Sequence, residues 1–185
     1  MFYCTYESNM GPLYLISDGE RLSGCYLEGQ KYFPDNIDNY HLNEELDIFV
    51  KSKVWLEKYF NGENPSIDEI PLNFNGTDFR NTVWNVLKEI PYGEIVTYRH
   101  IAEIIAESRG IKTMSAQAVG GAVGHNPLLI FIPCHRVIGV DRSLTGYAAG
   151  LENKRFLLNL EADNNNYKLQ NEILSNNRSI YENMV

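Results

Sequence analysis

The sequence is poor in the residues that build metal centres and disulfide frameworks: 185 residues include three cysteines and four histidines. An odd, sparse set of cysteines (Cys4, Cys25 and Cys134) excludes a disulfide-stapled scaffold and points to a reducing compartment with at least one free thiol. Long hydrophobic runs are also missing. No apolar stretch approaches the ~18 residues of a membrane span, although 44% of the residues are apolar, enough for one ordinary core or two small ones. The first residues, MFYCTYESNMGPLY, lack a basic stretch followed by an apolar one, so no secretory signal is expected. These absences predict a soluble, cytoplasmic protein without a membrane partner.

Positive charge is scarce as well, and the net charge of −8 argues at first against a nucleic-acid partner. The distribution is uneven, however. Residues 1–72 hold 5 basic and 13 acidic side chains, residues 73–161 hold 9 and 8, and residues 162–185 hold 2 and 3. Only the middle segment can approach phosphates without strong repulsion, so any DNA affinity is expected to be modest and salt-dependent.

The chain divides accordingly into residues 1–72, residues 73–161 and a polar tail, 162–185. In the first part, β-formers at 2–6, 13–17 and 22–27 predict three strands, with Gly11-Pro12 and Asp18-Gly19 as turns. Leu46, Phe49, Val50, Leu56 and Phe60 predict a helix over 43–60 that Asn61-Gly62 ends. Two prolines make 64–71 a linker. In the second part, Thr77 or Asp78 caps a helix carrying Phe79, Val83, Trp84, Val86, Leu87 and Ile90, and Pro91-Tyr92-Gly93 stops it. Thr97 caps a second helix, and a short third one is expected over 115–123. This succession fits a helix-turn-helix, although two stacked amphipathic helices are more often plain core packing. The tail is asparagine-rich, with Ile173, Leu174 and Ile180 able to form a loose helix.

The chemically informative segment is Ile130 to Gly139, where an apolar run ends at Pro133 and Cys134-His135-Arg136 follows at once. A thiol becomes a strong nucleophile when an imidazole takes its proton, directly or through one water. An isolated Cys-His pair is more often a small hydrophobe beside a structural histidine. The surrounding residues separate these readings. Pro133-Cys134-His135-Arg136-Val137 resembles the active-site signature of the O6-alkylguanine-DNA alkyltransferases, also called methylated-DNA–protein-cysteine methyltransferases. Similar segments occur in the family's order over 79–161, roughly half of the chain. They are Tyr92-Gly93-Glu94-Ile95-Val96-Thr97-Tyr98, Ala118-Val119-Gly120-Gly121-Ala122, Asn126-Pro127, Thr145-Gly146-Tyr147-Ala148 and Leu157-Leu158-Asn159-Leu160-Glu161.

The resemblance implies an α+β protein: a small N-terminal α/β domain of ribonuclease H-like type followed by a mainly helical winged helix-turn-helix domain. It implies a DNA-repair reaction in which Cys134 irreversibly accepts a methyl or larger alkyl group from O6 of guanine, or from O4 of thymine, once per molecule. His135 then acts as base through a bridging water, and Glu161 orients the imidazole. Tyr98 supplies its hydroxyl to the leaving guanine and crowds the backbone so that the nucleotide rotates. Guanine is recognised by backbone groups near Val137 and in the Tyr147-Ala148 loop, with Tyr147 as a wall. Asn126 is the hinge that ties the DNA-reading helix to the active-site turn. Ala118, Gly120 and Gly121 let that helix enter the minor groove of duplex DNA while the lesion is flipped out.

One position departs from the family pattern: Gln117 stands where an arginine usually fills the gap left by the flipped base. No cofactor is implied, because the acceptor is the protein itself. The zinc site of some relatives is not expected, since His41 is the only histidine before residue 100 beside Cys4 and Cys25. A monomer fits a protein that acts once on a wide duplex. Three other readings compete: a lesion sensor of the same fold that binds alkylated DNA without transfer, a helix-turn-helix regulator switched through Cys134, and a cysteine hydrolase. The sensor's relatives lack the cysteine, the regulator needs a basic recognition helix, and adjacent Cys134 and His135 rarely align as a direct dyad.

Overall fold

Asp18 accepts the backbone N–H groups of Glu20 and Arg21 on one carboxylate oxygen, and Gly19 supplies the left-handed φ of 113° that the turn requires. That turn and the one at Gly11 fold three strands into a meander: β1 (Phe2–Ser8), β2 (Gly11–Ser17) and β3 (Leu22–Leu27). The computed structural model describes residues 1–165. The register sets Cys4 opposite Leu15 and Leu15 opposite Cys25, with Leu13 opposite Leu27. All five lie on one buried face. A two-residue strand, β4 (His41–Leu42), adds parallel to β1, giving the order β3-β2-β1-β4. It is too short to leave a periodic signal.

Helix α1 (Asp47–Phe60) covers that face with Ile48, Phe49, Trp55, Leu56 and Tyr59. It begins four residues later than the sequence predicts. The Asn43 side chain accepts the N–H of Glu45 at 3.0 Å, and this local turn competes with helix initiation. The linker contains a turn of 3-10 helix, Ile67–Glu69, capped by Ser66, and is stitched to α1 where the Trp55 indole N–H donates to the Ser66 carbonyl at 2.9 Å.

The second part is helical. Helices α2 (Asp78–Lys88), α3 (Tyr98–Ser108) and α4 (Ala116–Gly124) start at Thr77, Thr97 and Ser115, whose hydroxyls accept the N–H groups of Arg80, His100 and Ala118. Trp84 on α2 reaches α4 through its indole N–H, which donates to the Ala122 carbonyl at 2.9 Å. Two short strands, β5 (Val96–Thr97) and β6 (Val137–Ile138), pair in parallel across about forty residues. Helix α5 (Leu151–Asn165) closes the chain as described, so the first residues of the expected tail prolong a helix; the rest of that tail lies outside the described residues.

The sheet and the helices share a core. The edge of β3 is occupied by the segment that leads to Cys134: Cys25 donates to the Pro127 carbonyl at 2.8 Å, and Leu129 donates to the Cys25 carbonyl at 3.0 Å. Phe131 stacks on Trp55 of α1 with ring centroids 4.6 Å apart. Truncating such a ring costs about 3–5 kcal/mol, and here the loss would fall on the segment that carries the thiol. The architecture is therefore α+β, with an N-terminal sheet that buttresses a helical C-terminal part.

Candidate active site

The run 128–133 is wholly buried, and its backbone is held tightly. Ile132 donates to the Leu128 carbonyl at 2.9 Å, and Cys134 donates to the Ile132 carbonyl at 2.8 Å. Ile130 adopts φ 72°, a conformation that a β-branched residue takes only where its surroundings impose it. The turn ends in a 3-10 segment, Cys134–Arg136, followed by β6.

Asn126 organises this turn. Its side-chain N–H group donates to the Ile132 carbonyl at 2.7 Å and to Cys134 Sγ at 3.1 Å, while its carbonyl accepts the Leu128 N–H at 3.0 Å. It follows His125, the residue that caps the end of α4. The structure thus joins the end of α4 to the thiol through one buried side chain. Burial raises the Cys134 pKa to about 11, against the opposing pull of the Asn126 hydrogen bond and the nearby Lys154 charge. The resting group is a thiol.

The next two residues meet one carboxylate. His135 and Glu161 are both fully buried, with His135 Nε2 2.7 Å from Glu161 Oε1. Arg136 grips the same carboxylate with Nε to Oε2 and Nη2 to Oε1, each at 2.9 Å. The Tyr59 hydroxyl donates to Oε1 at 2.6 Å and the Gly93 N–H to Oε2 at 3.0 Å. These contacts saturate the acceptor capacity of an ionised carboxylate. Burial works to raise the Glu161 pKa, but His135 and Arg136 together outweigh it and hold the carboxyl well below its usual range. Burial also lowers the His135 pKa against the pull of Glu161, so its ring is neutral at neutral pH. A carboxylate can only accept, so Nε2 carries the proton and Nδ1 is the basic nitrogen. Nδ1 is buried without a hydrogen-bond partner among the described residues.

Tyr98 opens α3, and its hydroxyl donates to the Thr145 carbonyl at 2.9 Å. Burial raises its pKa to about 12, so the hydroxyl keeps its proton. A side chain at Gly146 would place its Cβ 2.9 Å from that oxygen, which is why the loop needs glycine there. Tyr147 is buried, and its ring stands edge-on to His135 at 6.5 Å. Val137 is buried in β6 and Ala148 is half-buried. On α4, Gln117, Ala118 and Gly121 are exposed, while Gly120 faces the Tyr98 ring. Cys134, His135, Glu161 and Asn126 therefore converge, Tyr98 and Tyr147 stand beside them, and Gln117 and Ala118 lie on an outer face.

Arg136, Tyr59, Gly93 and Lys154 belong to the same assembly; Arg136 and Gly93 stand in the quoted segments without a role read for them, and Tyr59 and Lys154 escape the sequence reading. Lys154 is fully buried and donates to the carbonyls of Val137 at 2.5 Å and Thr145 at 2.6 Å, and burial lowers its pKa to about 8. A signal for it exists: residues 154, 157, 158 and 161 recur at helical spacing, which puts a lysine on the same inward stripe as Glu161. Tyr59 lies 102 residues from Glu161, and no local pattern announces that contact. Among the described residues no group of three or more His, Cys, Asp or Glu side chains is placed to hold a metal ion.

This arrangement can be set beside known proteins. Residues 1–74 match the family model of the ribonuclease-like domain of 6-O-methylguanine DNA methyltransferase, and residues 78–163 match that of its DNA-binding domain. The methylated-DNA–protein-cysteine methyltransferase of Haemophilus influenzae is 44% identical over 161 residues, covering 87% of this chain and 86% of the relative. That of Methanosarcina acetivorans is 44% identical over 162 residues, covering 87% and 98%. Among solved structures, Mycobacterium tuberculosis OGT in complex with DNA is similar with a TM-score of 0.79 and 39% identity, covering 89% of this chain and 94% of that one. By both family models and by these identities, the chain belongs to the 6-O-methylguanine DNA methyltransferase family.

Proposed function

We propose that the protein repairs DNA by taking the alkyl group from O6 of guanine onto Sγ of Cys134, once per molecule. The observation that carries this reading is the buried thiol tethered by Asn126, next to a histidine whose Nε2 is committed to Glu161. In the transfer, the S–C bond forms as the C–O6 bond breaks, and the electron pair of the broken bond stays with guanine. The thiol proton passes to His135 Nδ1, directly or through one water. Glu161 stabilises the imidazolium that results, the role of the orienting acid in nucleophile–base pairs. The Tyr98 hydroxyl, kept protonated by burial, donates to the guanine as negative charge develops on it. The product is a thioether with no route back to a thiol, so each molecule reacts once.

The target atom lies inside the duplex stack, so the nucleotide must be extruded at a cost of a few kcal/mol. The exposed, uncharged face of α4 with Gln117, Ala118 and Gly121 suits close approach to a minor groove. In this reading residues 73–161 hold the DNA and the reacting groups, and residues 1–72 support them. The protein acts as a monomer in the cytoplasm; no helix among the described residues is long and apolar enough to cross a membrane.

The test is to incubate the protein with a duplex bearing one O6-methylguanine and to weigh the intact protein and its peptides. One added methyl on the Cys134 peptide, absent in Cys134→Ser and capped at one per molecule, is expected. A folded protein that binds the duplex without gaining mass would instead be a lesion sensor.

A further inference from the structure

A cavity of about 430 Å³ lies between α4 and the loop that follows β6, walled there by small residues such as Gly120, Gly121, Gly146 and Ala148. Its inner wall includes Tyr147, which is 8% exposed and edge-on to His135. Its outer wall comes from elsewhere in the chain: Lys31 and Tyr32, in the segment that follows β3, line the same cavity. Tyr32 is 45% exposed, so its ring stands at the mouth.

The segment is held in place from both sides. The Lys31 N–H donates to the Ala148 carbonyl at 3.1 Å. The Tyr32 ring stacks on His125, at the end of α4, with centroids 3.9 Å apart and planes 24° apart. The Lys31 ammonium sits 4.8 Å from the Tyr32 ring centroid. The next residue, Phe33, points back to the sheet and packs edge-on against Tyr14 at 5.1 Å and Tyr26 at 6.1 Å. Sending successive rings to two different parts of the protein requires an unusual backbone, and Tyr32 has φ 64°. Side chains other than glycine rarely adopt that conformation, so the contacts on either side must impose it.

We propose that Tyr32 is a specificity-determining residue of the alkyl-transfer site: its ring, supplied by the N-terminal part, limits the bulk of the O6 substituent that can enter beside Tyr147. The inference rests on the self-alkylation reading above. Most of the remaining walls are glycine and alanine, so the Tyr32 ring is one of the few large side chains, with Lys31, Tyr147 and Leu151, that bound the space. The substrates discriminated are O6-substituted guanines with small against aryl-sized groups.

The experiment compares second-order rates of Cys134 alkylation by O6-benzylguanine base and by a duplex carrying O6-methylguanine, followed by intact mass. Wild type must first gain a methyl from the duplex; a failure there removes the underlying reading and not this one. Tyr32→Gly deletes the ring at a backbone conformation that glycine prefers, so the variant folds, and a thermal melt checks it. The benzyl-to-methyl rate ratio is expected to rise about tenfold in Tyr32→Gly, and to stay at the wild-type ratio in Tyr32→Phe, which keeps the ring. An unchanged or lower ratio in folded Tyr32→Gly, or a Tyr32→Phe that behaves like the glycine variant, would overturn the proposal.

Discussion

Arg136 and Glu161 form a buried, two-pronged ion pair at 2.9 Å on both contacts, on the same carboxylate that the neighbouring His135 uses to fix its proton. A buried charge pair adds little net stability when intact, yet removing one member leaves the other uncompensated. Glu161→Gln is therefore expected to lower stability by about 3–5 kcal/mol and to slow methyl transfer by about 10²–10⁴-fold. The amide cannot accept from both the guanidinium and the imidazole on two oxygens, so the histidine tautomer is no longer fixed. Denaturant melts and single-turnover rates measure both effects. A rate within threefold of wild type would remove Glu161 from the transfer step.

The same carboxylate gives the stability of the fold an acid limb. Its folded-state pKa lies below the unfolded value of about 4.3. Its contribution is therefore complete above that unfolded value and is lost as pH falls towards the folded one. Unfolding free energy measured between pH 3 and 7 should fall steeply below about pH 4.5, and the slope should be shallower in Glu161→Gln. Equal slopes would place the acid sensitivity elsewhere.

Asn126 makes a separate prediction about the nucleophile. Its N–H is the largest of the contacts that pull the thiol pKa down against burial, ahead of the Lys154 charge. Asn126→Ala should move the alkaline onset of Cys134 alkylation by iodoacetamide to higher pH than in wild type, whose thiol lies at about 11. It should also lower stability by about 1–3 kcal/mol, because the buried Leu128 N–H loses its acceptor. A wild-type Cys134 that titrates near the ordinary thiol value would contradict the burial argument directly.

How much of this was legible follows the range of the interactions involved. The three strands of the meander and helices α2 to α4 declare themselves because their signals are local: β-forming runs, an Asp-Gly turn, and Thr77 and Thr97 as caps. The start of α1 is displaced by a single Asn43 hydrogen bond, a competition between two local options that spacing cannot decide. Cys134 and His135 were legible as candidates through the signature around them and not through their adjacency alone, and Glu161 through its place in Leu157-Leu158-Asn159-Leu160-Glu161. Arg136 stands in the same signature, yet its partner became visible only when α5 was laid against the active-site turn. Tyr59 and Tyr32 were out of reach, since each acts through a contact with a part of the chain far away in sequence.

Gln117 offers the sharpest test of how this chain meets DNA. It is exposed near the start of α4, on a face without a charged side chain; in the proposed docking, duplex affinity there would rest on close approach and hydrogen bonding rather than on charge. Glutamine can bond the base left unpaired by flipping, but it stacks poorly and neutralises no phosphate. Gln117→Arg adds a planar cation that does both. The rate of transfer from duplex O6-methylguanine should rise several-fold, and the dependence of binding on salt should steepen by about 0.9 in the log–log slope if the new charge meets a phosphate. Reaction with the free base O6-benzylguanine, which needs no flipping, should not change. A duplex rate that stays at the wild-type value would remove residue 117 from the extrusion step, and an equal rise with the free base would mean that the substitution altered the pocket instead.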